Sequence, residues 1–147
     1  MRRVAIIGAG IAGLQLGRRL QAQGLAVELF DKARGPAGRI ATRRIDAGRF
    51  DHGAQYFTAR APGFVQQVED WVARGVVAPW LGRIAVLEQG AAVAEATAQT
   101  RYVGVPSMSA IARDLAAGLE VRTGQRIVSV RRDDAKWTIA SDAGFES

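Results

Sequence analysis

Six residues near the start of the chain, Gly8-Ala9-Gly10-Ile11-Ala12-Gly13, have the types and spacing to hold a pyrophosphate. Gly8 permits a tight turn. Gly10 has no Cβ, so a phosphate can approach the backbone, and Gly13 lets a helix pack closely on a strand. The phosphates would sit on the free N–H groups and positive end of the helix that opens at Ile11 and Ala12. That spacing acquires meaning only between a strand and a helix, and the sequence predicts both. Arg3–Ile7 (RVAII) is a continuous apolar run, read as a parallel strand buried on both faces. Ala12, Leu16 and Leu20 recur at four-residue spacing as one helix face, and Gly24 closes the helix.

A ribose-binding carboxylate should follow about 20 residues on, at the end of a second strand. Ala26–Phe30 (AVELF) is that strand, and Glu28 and Asp31 are the candidates. Glu28 lies mid-strand, which at about 3.3 Å per residue leaves it roughly 10 Å short of the crevice beyond the strand end. Asp31 is therefore the expected ribose ligand, with Lys32 beside it. A carboxylate there disfavours a 2′-phosphate. His52 is the only histidine. It lacks the Ser, Cys or metal-ligand pattern that general-base chemistry would need, so no catalytic residue and no metal site is assigned.

The elements that position these residues follow from pattern. Asp31–Gly53 is rich in Gly and Arg without a clean period and reads as a long loop. Pro62 starts a helix with Phe64, Val65, Val68, Trp71 and Val72 on one face, ended by Gly75. Val76–Ala98 reads as strands and turns through Trp80, Ile84, Val86 and Leu87, with a turn at Gln89–Gly90. Pro106 and Ser107 open another helix whose apolar face is Met108, Ile111, Ala112 and Leu115, capped by Gly118. Short strands follow at Glu120–Thr123, Arg126–Arg131 and Lys136–Ser141. The final Asp142–Ala143–Gly144 turn has no return strand, which points to a truncated chain.

The bulk numbers exclude other classes. At 147 residues, 48% apolar and 23% charged, the chain can bury a core and is not disordered. It contains no cysteine, which removes disulfides, thiolate metal sites and thiol catalysis, and a cytoplasmic location is the simplest expectation. Arg2 and Arg3 before an apolar run resemble a signal peptide, but three spaced glycines interrupt the run and no clean cleavage site follows. No stretch reaches the length of a membrane span. The net charge of +6 comes from arginines scattered without an aromatic-interleaved stripe, so neither a nucleic-acid nor a membrane partner is expected. Nothing in the sequence specifies an oligomeric state.

Three later segments carry a family resemblance. Arg34-Gly35-Pro36-Ala37-Gly38-Arg39, followed by Ala41-Thr42-Arg43-Arg44, is similar to the arginine and G-G-R element of flavin amine oxidases, with Ala37 replacing the first Gly. Phe50-Asp51-His52-Gly53-Ala54-Gln55-Tyr56-Phe57 and Arg101-Tyr102-Val103-Gly104-Val105-Pro106-Ser107-Met108 resemble the D-x-G-A-Q-Y-F and Y-V-G-x-P-x-M signatures of bacterial renalase-like proteins. The resemblance implies an α/β fold: a Rossmann-like FAD/NAD(P)-binding domain of GR2 type over 1–60 and 101–147, with the start of an inserted α+β substrate domain over 61–100. It implies FAD as cofactor, Gln55 and Tyr56 lining the flavin, His52 as a loop residue near it, and Ile127 laying its backbone against the adenine. Gly38 and Arg39 accompany the pyrophosphate, a guanidinium offsetting its charge. Arg34 is a second phosphate-side candidate, with Arg43 and Arg44 behind it.

In such enzymes the flavin carries the redox step and the protein supplies orientation and electrostatics. The implied reaction is hydride transfer from a small-molecule substrate, a dihydro-isomer of NAD(P)H, to flavin, with O2 as acceptor and hydrogen peroxide as product. An amine oxidase is the alternative, and a truncated dinucleotide-binding module without activity is a further one. Relatives are about twice this length and return to the cofactor with a C-terminal Gly-Asp segment. An NAD-dependent dehydrogenase would instead place another alternating strand and helix after Phe30, where this chain has its Arg/Gly loop.

Overall fold

A computed structural model describes residues 3–82, 85–94, 99–134 and 136–144. Residues 83–84, Ile84 among them, and 95–98, which the sequence places in a run of strands and turns, lie outside the described residues. Strand β1 (Arg3–Ile7), helix α1 (Ile11–Ala22) and strand β2 (Ala26–Asp31) form the expected βαβ unit, and β1 and β2 pair in parallel from Arg3↔Ala26 to Ile7↔Phe30. A short 3-10 turn (Gly38–Ile40) and an antiparallel hairpin, β3 (Thr42–Ile45) and β4 (Gly48–Asp51), follow. Helix α2 (Pro62–Ala73) leads into β5 (Val77–Pro79), which pairs with β8 (Tyr102–Gly104). Between them β6 (Ala85–Glu88) and β7 (Ala91–Ala94) form a hairpin through Gln89 and Gly90, both with positive φ. Helix α3 (Ser109–Ala116) then leads to β9 (Glu120–Thr123), which joins β2 in parallel and completes a sheet of order β1-β2-β9. A last hairpin is made by β10 (Ile127–Asp133) and β11 (Lys136–Ser141).

Helices α1 and α3 lie side by side, tied by Arg18 Nη1 to the Asp114 carbonyl (3.1 Å) and Gln21 Nε2 to the Gly118 carbonyl (3.0 Å). The core joins Ile6, Leu14 and Leu29 to Met108, Ile111, Ala112 and Leu115, and extends through Val68, Trp71 and Val77 of the α2–β5 region. Of the face expected on α2, Val68 and Trp71 are buried, whereas Phe64 and Val72 stay partly exposed.

Four expectations are corrected. Helix α1 does not bury Ala12 and Leu16; it buries Leu14 and Gly17. A Cβ at Gly17 would come within 3.2 Å of Leu29 and 3.3 Å of Leu119, so the glycine side is where the helix sits closest to the sheet. Close approach decides the face here, which an apolar count does not see. Strand β1 is buried on one face only, through Ile6, while Ile7 is 55% exposed. The stretch read as loop from Asp31 to Gly53 contains the 3-10 turn and the β3–β4 hairpin, whose arginine-rich strands give no apolar alternation to detect. Finally, Pro106 and Ser107 do not open α3. The helix starts at Ser109, and its first N–H groups are taken from afar: Met108 N–H donates to both carboxylate oxygens of Asp51 (3.2 Å each), and Ser109 N–H to Thr42 Oγ1 (3.2 Å). Thr42 Oγ1 in turn donates to Asp51 Oδ1 at 2.6 Å.

Candidate functional site

The glycine loop leaves β1 at Gly8, whose φ of +106° admits glycine far better than any other residue and whose N–H donates to the Phe30 carbonyl at 2.7 Å. Gly10 sits at the N-cap of α1 in extended conformation. No side chain caps the helix and no acid occupies its first turn, so its positive end is open at the exposed Ile11 and Ala12. A Cβ on Gly13 would lie 2.0 Å from the Gly8 carbonyl oxygen, so this position tolerates no side chain. A Cβ on Gly10 would meet only Gly38 Cα, at 3.9 Å, and otherwise project into open space. That space is the cradle a pyrophosphate needs.

The 3-10 turn runs past this cradle. Gly10 and Ala37 form a parallel bridge, and Gly38, at φ +58°, passes so near that its Cβ would lie 3.1 Å from Gly10 Cα. Arg39 follows, exposed, one residue from this contact. Its carbonyl accepts the Ala54 N–H at 2.9 Å, and a Cβ on Gly53 would come within 2.1 Å of that oxygen. Gly53 is thus required by a backbone contact that sequence reasoning missed; its place within a recognisable signature was the only signal. Arg34 and Lys32 are exposed in the preceding loop.

Asp31 ends β2 at the level of the glycine loop. Its Oδ2 accepts the Ala9 N–H at 2.6 Å and its Oδ1 the Ala33 N–H at 2.8 Å, so the carboxylate braces both sides of the crevice while each oxygen retains lone-pair capacity. Glu28 is buried on the sheet, ion-paired with Arg122 Nε and, at 3.6 Å, with Arg3. Beyond β9, Gly124 N–H donates to the Ala33 carbonyl (2.8 Å) and Gln125 N–H to the Asp31 carbonyl (2.9 Å). These bonds dock the start of β10, with half-buried Ile127, beside the loop that follows Asp31.

Gln55, Tyr56 and His52 are exposed on the segment that continues from the Arg39–Ala54 contact. The Tyr56 ring centroid lies 5.7 Å from that of Trp80, and the Arg101 guanidinium lies over the Tyr56 ring, 5.3 Å from its centroid. Phe57 exchanges both backbone hydrogen bonds with Tyr102 (3.0 and 2.8 Å), which joins the two signature segments of the sequence. The structure thus brings Gly8–Gly13, Asp31 and Gly38 together, with Arg39 next to Gly38; Lys32 is exposed in the loop after Asp31, Ile127 lies two residues past the docked Gln125, and Gln55 and Tyr56 lie further along the chain.

The groups with shifted acidity lie elsewhere. Hydrogen bonds from Arg74, and from Trp71 Nε1 (2.9 Å), hold the Asp114 carboxyl below its ordinary value despite burial, and the same Asp114 and Asp70 contacts raise the Arg74 guanidinium. This cluster fastens α2 to α3.

Residues 6–74 match the family model of an NAD(P)-binding Rossmann-like domain. The hydroxyneurosporene desaturase of Rubrivivax gelatinosus is 45% identical over 58 residues, covering 40% of this chain and 11% of that protein. The tRNA 5-methylaminomethyl-2-thiouridine biosynthesis bifunctional protein MnmC of Thiobacillus denitrificans is 28% identical over 151 residues, 99% of this chain and 22% of that protein. Among solved structures, a putative FAD containing monooxygenase from Photorhabdus luminescens superposes over all of this chain and 37% of its own, with a TM-score of 0.65 and 18% identity. The fold is Rossmann-like, of the FAD/NAD(P)-binding kind. The chain spans about a tenth to a fifth of the curated relatives' length.

Proposed function

We propose that this chain is the dinucleotide-binding part of an FAD-dependent oxidoreductase. The observation that carries the reading is the open cradle over Gly10, with the uncapped N-terminus of α1 on one side and Asp31 on the other. The ADP half of FAD fits it. The pyrophosphate would lie over Gly10 against the first turn of α1, with Arg39 offsetting its charge, and Asp31 would accept from the ribose hydroxyls. Ile127 would face the adenine from the edge of β10. The names of the relatives, a putative FAD containing monooxygenase and a hydroxyneurosporene desaturase, support FAD and redox chemistry.

When bound, FAD would supply a hydride acceptor. The residues of this chain orient it and neutralise its phosphates. The finer reading is renalase-like: oxidation of a dihydro-isomer of NAD(P)H with O2 as acceptor and hydrogen peroxide as product. It is supported by the Asp51–Phe57 and Tyr102–Met108 segments, which meet through the Phe57–Tyr102 backbone pair. On this reading residues 1–60 and 101–147 hold the cofactor and 61–100 begin a substrate domain in the cytoplasm.

The test is FAD uptake by the purified chain, read by visible absorbance and mass spectrometry, in wild type and two variants. Gly10→Ala places a methyl group in the cradle at an ordinary φ, so stability should stay within about 1 kcal/mol while FAD affinity falls at least tenfold. Gly13→Ala drives a methyl group into the Gly8 carbonyl and should disrupt the βαβ unit itself. Colourless wild-type protein that takes up no added FAD sinks the proposal.

A further inference from the structure

The β3–β4 hairpin presents one face to α3, and that face carries an unusual charge pattern. Thr42 and Asp51 are directly opposite one another and hold the Met108 and Ser109 N–H groups at the start of α3. Two residues further along each strand, on the same face, Arg44 stands directly opposite Arg49. One helical turn beyond Ser109 stands Arg113, whose Nη1 donates to Ser109 Oγ at 3.0 Å. The Ser109 hydroxyl therefore aims Arg113 back toward the hairpin.

Like charges directly opposite on adjacent strands are destabilising. The three guanidiniums feel one another: partial burial, then the charges of Arg44 and Arg49, hold the Arg113 pKa below its ordinary value. Among the described residues no carboxylate is ion-paired with any of the three. Asp51, two residues from Arg49 on this face, is engaged with Thr42 and the helix N–H groups, and Asp46 of the hairpin turn makes no ion pair with the three among the described residues. Among the described residues Arg113 has the Ser109 hydroxyl as its one side-chain hydrogen-bond partner. A cross-strand pair of arginines, with a third on the helix whose Ser109 contacts the same hairpin face, and no ion-paired carboxylate on them among the described residues, can offer paired N–H groups to the oxygens of a tetrahedral dianion.

We propose that Arg44, Arg49 and Arg113 form a second anion site, separate from the pyrophosphate cradle, that takes a phosphate-class dianion, either free or as the terminal group of a nucleotide. The site reassigns Arg44 from the cofactor's phosphates to its own ligand. It does not depend on FAD binding, because the cradle lies at Gly10 and Gly38 and the cluster at the α3 side of the hairpin.

The test is phosphate titration of the full chain at constant ionic strength, followed by calorimetry and by the Arg Nε–H resonances, with chloride as control. It is run on the Gly10→Ala variant, in which the cradle is blocked, and on wild type saturated with FAD. Saturable binding of inorganic phosphate is expected in both, weakened about tenfold or more by Arg49→Gln or Arg113→Gln and less by Arg49→Lys. AMP binding much tighter than phosphate at the same arginines identifies a nucleotide as the source; equal affinity identifies the free anion. A second readout separates binding from structure. In phosphate-free buffer Arg49→Gln should melt at or above the wild-type temperature, since it relieves repulsion, and in phosphate below it. Stabilisation that follows ionic strength alone, or phosphate binding unchanged by the three substitutions, overturns the proposal. So does saturable binding of an oligoglutamate peptide where phosphate gives none, which would make the cluster a docking point for an acidic chain.

Discussion

Two carboxylates three residues apart on β2 have opposite fates. Asp31 faces the crevice and accepts the N–H groups of Ala9 and Ala33, whereas Glu28 is held among Arg122 and Arg3 on the sheet. Asp31→Asn retains the size but loses the charge that strengthens these bonds, and it should weaken adenosine-nucleotide binding about tenfold or more. Glu28→Gln should leave that affinity unchanged and lower stability by about 1 kcal/mol, because it weakens the pairing of a buried carboxylate with solvent-screened arginines without touching the crevice. Isothermal titration with ADP, alongside urea denaturation, distinguishes the two; the reverse pattern would exchange their roles. That Asp31, and not Glu28, ends its strand beside the glycine loop was legible from reach along the strand alone. The need for glycine at position 53 was not, because it arises from the carbonyl of Arg39, fourteen residues away in sequence.

At the level of elements, helices α1, α2 and α3 are fastened by side chains that reach between them. Asp114 of α3 accepts from Trp71 of α2 and pairs with Arg74 just beyond it. Its carboxyl is held below the ordinary 3.8 mainly by the Arg74 hydrogen bond. A depressed folded value means stability that is present above the unfolded pKa and lost as pH falls through the folded one. Wild type should therefore exceed Asp114→Asn by about 1 kcal/mol near pH 7, a modest figure because Arg74 is solvent-screened, and the gap should close below about pH 4. Urea midpoints measured across pH 3–7 check this; a gap independent of pH would show that the carboxylate charge contributes nothing. Helix positions were legible from apolar spacing and from Pro62, Gly75 and Gly118. The α3 cap was not, because Asp51 and Thr42 come from a hairpin more than fifty residues earlier.

For the whole molecule, the sheet β1-β2-β9 has α1 and α3 on one face, while the other borders a groove of about 650 Å³. The groove is lined by Ala5 and Ile7 of β1, Phe30 of β2, and Val130, Trp137 and Ile139 of the last hairpin. Ile7, Val130 and Trp137 are 55%, 49% and 61% exposed, an apolar surface of the kind that binds apolar partners or self-associates. An apolar fluorescent dye should therefore bind this chain with increased emission and quench Trp137. Val130→Lys should reduce dye binding severalfold without lowering FAD uptake. Dye emission indifferent to that substitution would place the apolar surface elsewhere. Among the described residues no helix is long and apolar enough to cross a membrane.

The local βαβ unit, its glycine loop and the carboxylate at its second strand end were determined by sequence, because strand, turn and helix within some thirty residues need only short-range spacing to specify one another. The tertiary structure decided what depends on distant partners. It chose Leu14 and Gly17 as the packed face of α1, set Gly38 against Gly10, and brought Asp51 to the start of α3. It also set the hairpin that carries Arg44 and Arg49 against the start of the helix that carries Arg113, more than fifty residues further along the chain. Contacts of that kind are set by which surfaces meet, and no periodicity along the chain records them.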